Sequence, residues 1–181
     1  MSKVAITGNA SGTGVFTVAS PNSNTDRVLT LPDETGTVDT LQRSGNVLQV
    51  VQGTTSTEVV STTSSYIDTG LTATITPIYA SSKVLVFVTH GELSKDASSP
   101  ARLAMRLVRD ATTISQFATG LLYTNSAIVN RSPASITFLD TPATTSATTY
   151  KTTASNPDSS GSVNIQNNSS MSTITLMEIA A

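Results

Sequence analysis

ARLAMRLVRDATTISQF, residues 101–117, is the stretch on which the fold class turns. Ala, Leu, Met and Arg favour helices, and Arg102, Arg106 and Arg109 fall at the i, i+4 and i+7 spacing of one helical face. Read with period two, Leu103, Met105 and Leu107 share one face and Arg102, Ala104 and Arg106 the other. Asp110-Ala111 then makes a tight turn into the β-branched run that follows. A nine-residue helix over 101–109 is the alternative reading; the surrounding sequence favours the hairpin.

That surrounding is a series of short strand signals. Runs at 47–52, 57–61, 71–76, 83–89, 101–109, 112–117, 134–139, 148–153 and 173–179 are spaced like the strands of two packed sheets. Val84 to Val88 is an unbroken apolar run, as a central strand covered on both faces requires. In the final run Ile174 and Leu176 lie on one face and Met177 and Ile179 on the other, and both faces have a buried character. A terminal strand of that kind is expected to be covered on one side by its own sandwich and on the other by a partner subunit, which also protects its edge.

Composition points the same way. Of 181 residues, 32 are Thr and 26 are Ser, so hydroxyl side chains suited to pleated surfaces and turns dominate. Charged residues make up 12% and hydrophobic residues 38%, with a net charge of −2. Intrinsic disorder combines low hydrophobicity with high net charge, so this balance argues against it. It also argues against a broad electrostatic footprint for nucleic acid or for an anionic membrane. With no cysteine there is neither a disulfide framework nor a thiolate metal site. The opening MSKVAITGNASG lacks the apolar run of a secretory signal, and nothing in the chain is long and apolar enough to insert in a membrane.

Residues 1–46 read differently from residues 47–181. Three short strand-like runs are punctuated by Gly8, Gly12, Gly14, Pro21, Pro32, Gly36 and Gly45, too densely for a conventional core. Within them NTDRVLTLPDETGTV, residues 24–38, reads as a β-hairpin in which Pro32 presets φ and Gly36 returns the chain. So polar an arm is expected to be ordered only against neighbouring chains. Val28, Leu29, Leu31 and Val38 are therefore candidate contacts, as are Ile174, Leu176, Met177 and Ile179 of the last strand.

No catalytic, cofactor-binding or metal-binding residue is expected. His90 is the single histidine, at what reads as the end of a strand, so no multi-histidine metal site can be built within one chain and a triad would have to use this residue alone. Asp33 and Glu34 form the only adjacent carboxylate pair, and they sit at a hairpin tip. GNASGTG, residues 8–14, has the glycines of a phosphate loop without its Gly-Lys-Ser/Thr ending. Tyr66, Tyr79, Tyr123 and Tyr150 offer few stacking platforms and read as half-buried core tyrosines.

The 24–38 unit resembles the recurrent stalk unit of tailed-bacteriophage fibre and virion-surface proteins. VLQVVQGTTSTEVVSTTSSYIDTGLTATITP with SSKVLVFV, at 47–88, and the closing STITLMEIAA resemble the same group. The resemblance implies a homotrimer with an N-terminal virion-attachment arm or stalk and a C-terminal antiparallel β-sandwich knob of jelly-roll or TNF-like type. It implies other virion proteins of the tail, baseplate or capsid as partners, with a host cell-surface receptor as a further candidate, and a place on the virion surface. The expected function is that of a non-enzymatic short tail fibre contributing to host adsorption. The alternative is a capsid decoration protein, or head fibre, that stabilises the shell through an arm able to reach on the order of 150 Å when extended.

Overall fold

The computed structural model describes residues 43–98 and 100–181, with 11–15, 17, 19, 22, 24–26 and 28 from the N-terminal region. The chain divides into two units, Met1–Thr37 and Val38–Ala181. The 24–38 hairpin lies largely, and the Asp33–Glu34 pair and residues 8–10 of the 8–14 segment wholly, outside the described residues. So do Leu29, Leu31 and Val38.

The second unit is an antiparallel β-sandwich. Its larger sheet sets β1 (Val47–Thr55), β10 (Ser172–Ile179), β4 (Lys83–Lys95) and β7 (Asn130–Asp140) side by side. Along the second half of β4 the place of β10 is taken by β9 (Val163–Ile165), which pairs with β2 (Val59–Ser61). The smaller sheet runs β3 (Ile67–Ile75), β8 (Thr148–Ser155), β5 (Ala101–Arg109) and β6 (Thr112–Thr124). Among the described residues the only helical element is a 3-10 turn at Asn167–Ser169, so no helix is long and apolar enough to cross a membrane.

Period two prevails over helix propensity at residues 101–109. Leu103, Met105 and Leu107 point inward with no exposed surface, and each contributes about 2 kcal/mol by burial. Asp110 takes the left-handed φ of 52° that the β5–β6 turn needs, a conformation Asp tolerates. It is anchored to β8, its N–H donating to Thr149 O (2.7 Å) while Oδ1 accepts from Thr149 N (2.9 Å).

The interior holds two clusters. One packs Leu71 and Ile75 of β3 against Val84, Val86 and Val88 of β4 and Ile174 and Leu176 of β10. The other gathers Leu93, Leu103, Met105, Leu122, Val163 and Ile165. β4 spans both and is central, as its apolar run predicts. The expectation that the run is covered on both faces is not met within the chain: Val84, Val86 and Val88 are enclosed, whereas Leu85 is half-buried and Phe87 is exposed on the outer face. At the β1 side the sheets approach so closely that a Cβ on Gly53 would sit 1.9 Å from Thr72 O.

Candidate functional site

The most concentrated polar chemistry lies where β4 passes from one core to the other. His90 reads from the sequence as a strand end, but the strand continues to Lys95. What interrupts it is a bulge. On the β7 side the register slips between His90↔Ala134 and Leu93↔Ser132, so β4 carries one extra residue opposite Pro133. On the other side β9 and β10 form one interrupted strand, and residues 166–171 loop away opposite His90–Glu92. Without ladder partners, Gly91 N donates to Ser172 Oγ (3.4 Å) and Glu92 N to Ser170 Oγ (2.7 Å).

The loop holds left-handed backbone at Gln166, Asn168 and Ser169 (φ 55°, 55° and 56°), each costing about 1–2 kcal/mol for a residue with a Cβ. Glu92 offsets that strain. Its Oε1 accepts hydrogen bonds from Asn167 Nδ2 and Asn168 Nδ2 (2.9 Å for the latter) and pairs with Arg131 Nε at 3.1 Å. Gly91, Glu92, Arg131, Ser132 and Pro133 line a shallow cleft of about 220 Å³ there.

His90 points the other way, into the sandwich, with no exposed surface. The Gln166 amide is satisfied at both ends when its nitrogen donates to Thr57 O, Thr69 O and Ile165 O (3.1–3.3 Å). Its oxygen then accepts from Ser172 Oγ (3.1 Å) and His90 Nδ1 (3.2 Å). That arrangement places the ring proton on Nδ1 and leaves Nε2 to accept from Thr152 Oγ1 at 3.1 Å. Burial lowers the ring pKa from 6.5 to about 4, so the imidazole is neutral at physiological pH. Both ring nitrogens are engaged inside the fold, which leaves neither to exchange a proton with a solute.

Two other polar sets tie the sheets together. Tyr150 Oη donates to Asp140 Oδ2 (2.7 Å), which also accepts from Arg109 Nη1 (2.8 Å). Burial and that carboxylate push the tyrosine pKa up, and the hydrogen bond to Asp140 raises that of Arg109. Glu178 accepts from Gln49 Nε2 and from the N–H groups of Ile78 (2.8 Å) and Tyr79 (3.3 Å). Burial alone would raise its pKa, but these bonds prevail and hold it below the usual carboxylate range. Among the described residues no group of three or more His, Asp or Glu is placed to hold a metal ion.

The structure distributes the candidate contact residues over different environments. Ile174 and Leu176 are wholly enclosed in the chain's own core. Met177 and Ile179 alternate outward and are half-buried, and Val28 is 91% exposed. Cross-strand register sets Met177 in one row with Val50, Leu85 and Leu139 across β1, β10, β4 and β7. Sequence reasoning singled out Met177 but not the other three, because a row across a sheet is visible only once strand order and register are known. Of the four tyrosines, Tyr150 is fully buried, while Tyr66 lies under the Arg106 guanidinium, 3.6 Å from its ring centroid. Compared with known proteins, the chain matches no family model and no curated protein.

Proposed function

We propose that this protein is a non-enzymatic structural component of a tailed-bacteriophage virion, a short homotrimeric tail fibre that contributes to host adsorption. Residues 1–46 join the particle and the sandwich is displayed outward. The observation that carries the non-enzymatic part is the state of the only histidine, sealed between the sheets with Nδ1 on Gln166 and Nε2 on Thr152. Asp140, Arg109 and Tyr150 are likewise spent on one another. Polar chemistry in this fold supports a rigid, neutral, hydroxyl-clad body. The virion assignment draws on the likeness of residues 24–38, 47–88 and 172–181 to fibre and virion-surface proteins.

Quantitative mass spectrometry of purified virions tests the reading. Tens of copies per particle are expected for a fibre. Hundreds would transfer the protein to the capsid shell as a decoration protein, and absence from the particle would overturn both. Release of reducing ends from host polysaccharide by the purified protein would overturn the non-enzymatic assignment.

A further inference from the structure

We propose that the outer face of the smaller sheet binds an anionic saccharide, with the Arg106 guanidinium receiving the sugar's carboxylate. The four strands of this sheet carry five charged side chains. Four of these are in ion pairs, Lys151 with Asp68 (2.9 Å), Arg102 with Asp158 (3.2 Å) and Arg109 with Asp140 (2.8 Å). Arg106 is the fifth, and among the described residues no carboxylate lies within ion-pair distance of it. What holds it is the Tyr66 ring, whose centroid is 3.6 Å from Cζ. Its Nε is sealed without an acceptor, whereas the two terminal nitrogens, equally without partners, are not enclosed. A guanidinium laid on an aromatic ring keeps its in-plane donors free, and here the two Nη groups can receive a carboxylate end-on through parallel N–H···O bonds. The ring is itself fixed. Gln116 Nε2 donates to Tyr66 Oη (3.0 Å), and Asn156 N donates to Thr63 O (2.9 Å), tying down the segment that carries Tyr66. A site ordered before its ligand arrives loses less entropy on binding.

The surroundings select a saccharide. Register places Asp68, Thr153, Arg106 and Gln116 in one row across β3, β8, β5 and β6. The register of β3 slips between Asp68 and Thr72, where Gly70 takes a φ of 78°, and a cleft of about 150 Å³ opens there beside Asp68 and Lys151. That is the space of about five waters at ~30 Å³ each, close to one sugar ring. Asp68 is two strand spacings, about 10 Å, from Arg106, so an oligosaccharide with one ring in the cleft can set the carboxylate of another on the guanidinium. The Lys151–Asp68 pair is exposed, and exchanging it for ligand hydroxyls costs little. Tyr66 Oη accepts from Gln116 and keeps its own proton to donate, and the Gln116 amide both donates and accepts, which is the mixture that sugar hydroxyls need. A peptide would need apolar subsites, but Tyr123 is the only large apolar side chain of these strands that is exposed. A phosphodiester chain needs a run of cations, whereas a single unpaired guanidinium shares this face with Asp68 and Asp158.

The inference names the chemistry of a receptor and rests on the adsorption reading for that setting. The test is a titration of the purified full-length protein with galacturonate and glucuronate trisaccharides, followed by NMR of the nitrogen-15-labelled chain. The Gln116 side-chain amide and the backbone amides of Asp68 and Thr153 should shift. The methyl esters of the same trisaccharides, which carry no charge, should bind at least ~10-fold more weakly. Arg106→Gln should weaken binding of the acids at least ~10-fold with the melting temperature retained, whereas Lys83→Gln, the same loss of charge on the larger sheet, should leave it unchanged. No binding of either acid, equal affinity for acid and ester, unchanged affinity in Arg106→Gln, or shifts confined to other residues would overturn the site. Tighter binding of galactose 6-phosphate than of the uronates would overturn the carboxylate assignment. Should Arg106→Gln fail to fold, the acid–ester comparison and the map of shifts decide. Failure of the site leaves virion membership to the copy number, and absence from virions would remove the receptor setting while leaving the saccharide site standing.

Discussion

His90 has a measurable cost built into it. In the folded chain its pKa is about 4, against 6.5 for the free side chain, so between those values the unfolded chain binds a proton that the folded chain refuses. Stability is therefore complete above about pH 6.5 and declines as pH falls toward about 4, by roughly 3 kcal/mol in total. Urea denaturation across this window should show the decline in the wild type and its loss in His90→Gln. Below it Glu178 takes over, because its depressed pKa stabilises the fold above the ordinary carboxylate range and the contribution vanishes as it protonates. The Asp140 cluster gives a second contrast at this scale. Tyr150→Phe removes one hydrogen bond and leaves Asp140 paired with Arg109, so about 1 kcal/mol is expected. Asp140→Ala strands a buried hydroxyl and a guanidinium together, and about 3–5 kcal/mol should be lost in the same measurement.

At the scale of the element, the junction of β1 and β3 is the least forgiving. Any Cβ at Gly53 would meet the backbone of Thr72 at 1.9 Å and press toward Ile174, and backbone cannot swing aside as a side-chain tip can. Gly53→Ala should cost about 2 kcal/mol or more in chemical denaturation, at the upper part of the overpacking range, whereas Gly120→Ala, with only Arg102 Cδ at 4.0 Å, should be near neutral. Neither difference is visible in sequence, where both glycines merely punctuate strands. What was legible is the alternation of β5 and β10, since Leu103-Met105-Leu107 and Ile174-Leu176 each repeat long enough to set a face. β9 was not: Val163–Ile165 is three residues long, and it is a strand because Leu93–Lys95 offers it an edge. The break in β4 was read as an ending for a related reason. A His-Gly-Glu step that leaves the ladder looks like a terminus unless the distant Ser170 and Ser172 hydroxyls that replace its partners are known.

For the whole molecule, the decisive boundary is where the sandwich stops depending on the residues before β1. The unit Val38–Ala181 contains every described strand and both core clusters. Within it, Gly45 N donates to Ala180 O (2.8 Å) and Ala180 N donates to Asn46 O (2.9 Å), carrying the β1–β10 pairing past Val47↔Ile179. A protein of residues 38–181 should therefore melt at the wild-type temperature with one cooperative transition. A protein of residues 47–181 loses both of those bonds and frees the end of β10, and should be less stable by about 1–2 kcal/mol while still folding. Comparing the two urea midpoints isolates this clasp from the arm that precedes it. If the protein is the proposed virion component and attaches through its first residues, neither truncated protein should enter the particle. Co-purification of the 38–181 protein with particles would place attachment on the sandwich instead.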